Sequence, residues 1–356
     1  MKHFRFSILF TIICLMLSAY WGYTHGPNAG IATMMKALAI TAILAVMEIS
    51  LSFDNAVVNA SVLRNWDEFW KKIFLTVGIL IAVFGMRLVF PVVIVAVTAE
   101  MGMMEVVNMA LKEPEEYSKR LMAHHAEIAA FGGIFLLMVF LNFFFDDSKD
   151  THWFKWLETR LASLGNIPAM SVFLALAVLL GMASAIDEQQ RLVVVMAGIW
   201  GIVIYIGVQV IAHLLGGEPE IDENGNAISG ASGGVVKAGL GGFLYLEVLD
   251  ASFSFDGVVG AFAISSDVVI IMLGLAIGAI FVRSMTIYLV EKGTLDAYIY
   301  LEHGAHYAIG ALAIIMIIGA TGMHIPEVIT GLIGVAFIVW AVFASIAYRK
   351  KITHLN

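Results

Sequence analysis

Apolar residues in this chain fall in long unbroken runs rather than in strict alternation or narrow helical stripes. The runs cover 6–24, 35–63, 73–98, 126–145, 168–187, 192–215, 238–264, 268–289, 305–322 and 327–347. Each matches or exceeds the roughly 17–25 residues that cross a bilayer as a helix. Continuous runs favour helices over a β-barrel, whose strands alternate lipid-facing and lumen-facing residues. The pattern predicts an all-α, polytopic transmembrane helix bundle of about 9–10 helices. Residues 1–34 read as an N-terminal hydrophobic helix with a short outer loop, and 35–347 as the main membrane domain. The long hydrophilic stretch 216–237 is rich in Gly, Ser, Asn and acids. It reads as a solvated linker between halves at about 35–215 and 238–347.

Composition reinforces the pattern. Hydrophobic residues make up 60% of the 356 and charged ones 13%, against about 45–50% and about 25% in soluble domains. The formal charge of −8 says little about partners, because most charged residues fall between the runs. The lone Cys14 excludes an internal disulfide framework and a cysteine-based metal site. Met1 to Arg5 followed by an apolar run has the look of a signal peptide, but Ser18 to Gly22 offers a poor cleavage site, which favours a retained helix. With the N-terminus inside, Lys and Arg concentrate on the inner side, for example at Arg64, Lys71, Lys72, Lys149, Arg349 and Lys350. Both termini are therefore expected in the cytoplasm.

A local repeat carries the chemistry. Glu48-Ile49-Ser50-Leu51-Ser52-Phe53-Asp54-Asn55 in the first half is matched by Glu247 to Gly257 in the second, which contains Asp250 and ends Ser254-Phe255-Asp256-Gly257. On the expected topology the two copies run in opposite directions, as in transporters built from two inverted repeats with a site between them. One Asp at a helix centre costs about 2.5–3.5 kcal/mol on insertion scales. Glu48, Asp54, Glu247, Asp250 and Asp256 therefore need compensation, and Arg87 and Arg283 are too few to neutralise all five. The arginines are expected to balance part of the charge, and a bound cation with exchangeable protons the rest.

Helical geometry sets a further expectation. At about 100° per residue, Glu48, Ser52, Asn55 and Asn59 share a face, while Asp54 falls about 120° away. Local unwinding at each Ser-Phe-Asp, with Gly257 and Gly260 helping in the second copy, would bring the acids together; the alternative is a continuous helix contacting protein on several sides. Carboxylate, amide and hydroxyl donors suit Mg²⁺, Ca²⁺ or Mn²⁺.

With these motifs the chain resembles the TerC family of membrane proteins, within the wider LysE-type transporter superfamily. Glu48 to Asn55 fits the pattern E-x-x-L-S-x-D-N, and Glu247, Asp250 and Asp256 fit the acids of the second motif. Arg87, Arg283-Ser284 and Gly132 to Leu137 are similar to further family features. Gly257 stands where the family usually has Ser, and Val259 where it often has Pro. The resemblance implies export of a divalent cation, manganese above all, across a bacterial cytoplasmic membrane. Its implied metal ligands are Glu48, Asp54, Asn55, Glu247, Asp250 and Asp256, with protons as a counter-ion.

Other polar residues read more simply. His124-His125, His213 and His306 lie near helix ends, Asn142 suits an interhelical hydrogen bond, and Trp66, Trp153 and Trp156 suit the membrane interface. Asp146-Asp147 reads as a solvated helix end. No P-loop, HExxH or GxSxG occurs, so neither ATP-driven transport nor common hydrolytic chemistry is expected. The expected partners are the lipid bilayer and the transported ion, with no organic cofactor and no nucleic acid. An amino-acid exporter and a non-transporting scaffold or assembly factor stand as the rival functions.

Overall fold

The computed structural model describes residues 4–25, 29–64, 66–147, 149, 151–215, 239–323 and 325–353. The expected linker 216–237 lies outside the described residues. The helices are α1 (Arg5–Thr24), α2 (Ile31–Leu51), α3 (Phe53–Leu63), α4 (Glu68–Ile73), α5 (Phe90–Thr98), α6 (Met103–Lys112), α7 (Pro114–Ala123), α8 (His125–Phe145), α9 (Lys155–Gly165), α10 (Met170–Ala183), α11 (Glu188–Leu215), α12 (Leu240–Ile264), α13 (Val268–Glu291), α14 (Thr294–Ala297), α15 (Leu301–Ala320) and α16 (Glu327–Thr353). Between α4 and α5 the chain stays helical but winds as π-helix over Phe74–Gly78 and Ile81–Val89. No strand occurs among the described residues.

Among the described residues, eight helices or continuous helical spans are long and apolar enough to cross a membrane, or nine if the bent α9–α10 pair is one span. The chain is thus a multi-pass all-α bundle. Two expected spans come out differently. The run 168–187 supplies only the 14-residue α10, bent 103° from α9. The run 35–63 divides at Ser52 into α2 and α3. The expected 238–264 span is present as α12, long enough at 25 residues but carrying Glu247, Asp250 and Asp256.

The packing follows membrane logic: small residues bury and large apolar ones face out. On α1 the buried residues are Ser7, Cys14, Ser18 and Gly22, while Phe6, Ile12, Met16 and Tyr20 are exposed. Small side chains let backbones approach closely, and lipid supplies the apolar solvent for the rest. The Ser7 hydroxyl lies 2.5 Å from that of Ser284 on α13, and the Ser18 hydroxyl 2.6 Å from that of Thr41 on α2. The Trp21 indole donates to Asp267, whose side chain also caps α13. α8, α13 and α15 form the enclosed centre. Trp66, expected at the interface, is buried in the core, whereas Trp156 is exposed.

Close approach is testable at Gly201 on α11. A Cβ there would stand 2.6 Å from the Phe131 backbone oxygen of α8, whereas one at Gly207 meets nothing within 4 Å. Gly201→Ala is expected to cost about 1–3 kcal/mol, the usual range for overpacking. Gly207→Ala should be neutral or slightly stabilising, both read from thermal unfolding in detergent.

Candidate functional site

The first acidic motif sits where α2 gives way to α3. The break is one residue wide. Ser52 leaves helical geometry with φ −102° and ψ 16°, yet its N–H still bonds the Glu48 carbonyl, and its own carbonyl accepts from Ala56 N–H. The second motif lies inside α12, which is continuous from Leu240 to Ile264. The expected unwinding is therefore a single-residue interruption in the first copy and is missing in the second. Gly257, expected to help unwind it, serves a different need.

A Cβ on Gly257 would lie 2.6 Å from Glu48 Oε2, and one on Gly278 of α13 would collide with the Glu48 stem. These two glycines make room for a carboxylate between three helices. Glu48 is almost wholly buried and pairs with Arg87, while the Ser52 hydroxyl donates to its Oε1 at 2.9 Å. Arg87 also donates to the Ala82 carbonyl. Both residues belong to the second π-helical stretch. π-Helical turns recur at functional sites, and here the carbonyl five residues earlier in the chain meets the guanidinium.

The second half repeats the arrangement of an acid helix followed by an arginine helix. Arg283 on α13 lies 3.3 Å from Asp250 Oδ2 and 3.6 Å from Glu247 Oε1. Its Nη2 also donates to the Gly78 carbonyl at 3.2 Å, and its guanidinium stacks on Phe74, 3.8 Å from the ring centroid. A Cβ on Gly78 would collide with the Glu247 carboxylate. The π-helical region thus supplies a carbonyl, an aromatic face and a gap to the second site. None of these was legible in the motif itself.

One contact joins the two motifs: the Asn55 amide donates to Asp250 Oδ1. Asp54 goes elsewhere. It is buried, its Oδ1 accepts from the Asn55 backbone N–H, and Gly334 of α16 faces its Oδ2, where a Cβ would lie 3.7 Å away. It borders a small void of about 10 Å³ shared with Thr330, Ala308 and Leu312. The helical arithmetic that set Asp54 off the Glu48 face holds, because a one-residue break does not turn it back. The side chain of Asp256 lies outside the described residues. In this arrangement Glu48 belongs to Arg87, and Glu247 and Asp250 to Arg283. Among the described residues no three His, Cys, Asp or Glu side chains converge as a metal-holding group.

A second polar cluster was not anticipated. Glu158, fully buried on α9, accepts from the Trp153 and Phe154 backbone N–H groups and from the Tyr307 hydroxyl. His303 Nε2 lies 3.4 Å away. Lys149 stands over the Phe143 ring, 4.0 Å from its centroid; burial lowers its pKa, against the pull of Glu158 and Asp146. Asp146, expected to be solvated, is buried. His306, near the start of α15 as expected, is buried and stacks on Phe143. Asn142 accepts from Ser171 across helices, as expected, whereas His124, at the start of α8, pairs with Glu127 rather than capping the helix with its side chain.

A family model described as a protein of unknown function, DUF475, matches residues 53–352. The chain belongs to the DUF475 family. No curated protein and no solved structure matches it. The DUF475 match contains Asp54, Asn55, Arg87 and the whole of α12 and α13, while Glu48 and its helix α2 precede it.

Breaking a buried pair by removing one partner costs about 3–5 kcal/mol, because a charge is left unpaired. Arg87→Met is expected to destabilise the protein by that order. Adding Glu48→Gln should recover at least half of the loss, as a double-mutant cycle of thermal unfolding would show. Equal instability of the single and double variants would refute the pairing.

Proposed function

We propose that this chain is a secondary transporter that carries a hard divalent cation, manganese foremost, across the bacterial cytoplasmic membrane. Glu48, Asp54, Asn55, Glu247, Asp250 and Asp256 are the residues proposed to receive the ion, and Arg87 and Arg283 to hold the acids while it is elsewhere. The TerC-like motifs supply the choice of manganese, of export and of the bacterial membrane. Magnesium and calcium suit the same oxygen donors.

The observation that carries the reading is the Asn55–Asp250 contact. It brings a motif from each half to one buried point, where transporters of repeated architecture place their substrate. Four described carboxyl groups, Glu48 on α2, Asp54 on α3 and Glu247 and Asp250 on α12, are buried in the bundle with two guanidiniums. Buried carboxylates beyond the number of basic partners need protons or a cation. On this reading the guanidiniums and the cation compete for the same acids. Cation entry displaces the guanidiniums or exchanges for protons, and one half rocks against the other to change access. The void beside Asp54, about 10 Å³, has room for about one water-sized sphere. That weighs against an amino-acid cargo.

Purified protein in proteoliposomes, with a manganese-quenched dye inside and an imposed proton gradient, tests the reading. Wild-type protein is expected to admit Mn²⁺. Asp54→Asn and Asp250→Asn should each slow entry at least ten-fold while eluting as monodisperse protein. A wild type that moves no divalent cation, or two variants as fast as wild type, would reject transport in favour of a structural role for the acids.

A further inference from the structure

The polar face of α3 continues past the acidic motif. Asn59 is one turn beyond Asn55 on the same face, since residues four apart lie above one another on a helix. Asn59 is fully buried, at 0% exposure, yet among the described residues neither its Oδ1 nor its Nδ2 has a hydrogen-bond partner. Asn55 Oδ1 is also buried without one. Native proteins rarely leave a buried amide unmatched. A core position with no use for polarity would be filled by an apolar side chain of similar size.

Past Asn59 the helix reaches its end at Arg64, whose guanidinium lies 3.8 Å from Glu302 of α15. Both side chains of that pair are partly exposed, at 39% and 30%. At about 1.5 Å per residue, Asn59 stands roughly 7–8 Å along the axis from Arg64 and about 6 Å from Asn55. Arg64 lies about 140° round the axis from Asn59, so the polar row on this face runs from the Asp250–Asn55 contact to the unmatched Asn59 amide, and the charged pair marks only how near the partly exposed helix end is.

We propose that this face of α3 is a hydrated route leading out of the acidic site, with Asn59 as its station one turn along, towards the helix end where the chain becomes partly exposed. The amide oxygens of Asn55 and Asn59 would take over part of a cation's hydration shell, and the Asn59 Nδ2 would bind its escorting water. That the traveller is a divalent cation rests on the transport reading above; the route itself rests on the α3 side chains.

The single cysteine makes the test clean. In a full-length Cys14→Ala background in proteoliposomes, Asn59→Cys, Val58→Cys and Ala60→Cys are each exposed to methanethiosulfonate ethylammonium, a small water-borne thiol reagent. Val58 and Ala60 are as buried as Asn59 but point to other sides of the helix. Labelling at position 59 at least ten-fold faster than at 58 and 60 is expected; equal rates at all three overturn the proposal. Asn59→Leu gives a measurement that needs no cysteine. Its melting temperature should be no lower than wild type, whereas Asn55→Leu, which abandons Asp250, should melt lower. A fall at Asn59→Leu as large as that at Asn55→Leu would show a structural amide and overturn the route. Added Mn²⁺ separates the two readings. If it slows labelling at position 59, route and cargo are both supported. If labelling at position 59 stays fast and selective but indifferent to Mn²⁺, the route is supported and the divalent cargo is not.

Discussion

Everything at the centre of this protein answers to the cost of placing charge at the depth of a bilayer. An acid in such a place must be met by a counter-charge, and the counter-charge must itself be satisfied. Arg87 meets Glu48 and is steadied by the Ala82 carbonyl. Arg283 meets Glu247 and Asp250 and is steadied by the Gly78 carbonyl and the Phe74 ring. Arginine suits this use because its planar fork can serve several acceptors and stack on an aromatic face together. The surrounding structure is shaped by the need to bring those groups within reach, down to the π-helical winding that contributes Gly78, Ala82 and Arg87.

The two polar clusters differ in how far their acids are satisfied, although His303 Nδ1 beside Glu158 is itself buried without a hydrogen bond among the described residues. Glu158 is met by backbone N–H groups and a tyrosine hydroxyl, and its surroundings are aromatic. It fastens the segment before α9 to α15, and its acceptors are occupied. At the acidic site both Glu247 oxygens, Asn55 Oδ1 and Ser254 Oγ are buried without hydrogen bonds among the described residues. A purely structural cluster tends towards the first condition. Departures from full satisfaction concentrate where function requires them.

Much of this was legible in the sequence, for physical reasons that can be named. Hydropathic runs announce membrane helices because lipid imposes a length and forbids unpaired backbone. The acids at Glu48, Glu247 and Asp250 stood out because nothing else makes such residues tolerable inside an apolar run. Their pairing with Arg87 and Arg283 followed from charge. The rest depended on features without a periodic signal. The short α10 and its sharp bend from α9 look, by hydropathy, like any other span. The backbone carbonyls of Gly78 and Ala82 are invisible in side-chain patterns. Glu158 sits in a stretch that reads as ordinary loop polarity, and its role is set by Tyr307 and His303, far along the chain. Gly257 suggested a loosened helix; in three dimensions it is a notch for a side chain from another helix.

That notch has a mechanical meaning. Glu48 fits between Gly257 and Gly278 like a key between wards, with its stem against α13 and its carboxylate against α12. Because the same carboxylate is tied to Arg87, sliding α2 along either neighbour would both jam a side chain against backbone and pull apart an ion pair. Shape and charge thus hold α2, α12 and α13 in register for as long as Arg87 keeps Glu48. Asp54, facing Gly334 of α16, points away from that lock towards a helix that the Glu48 side chain does not reach.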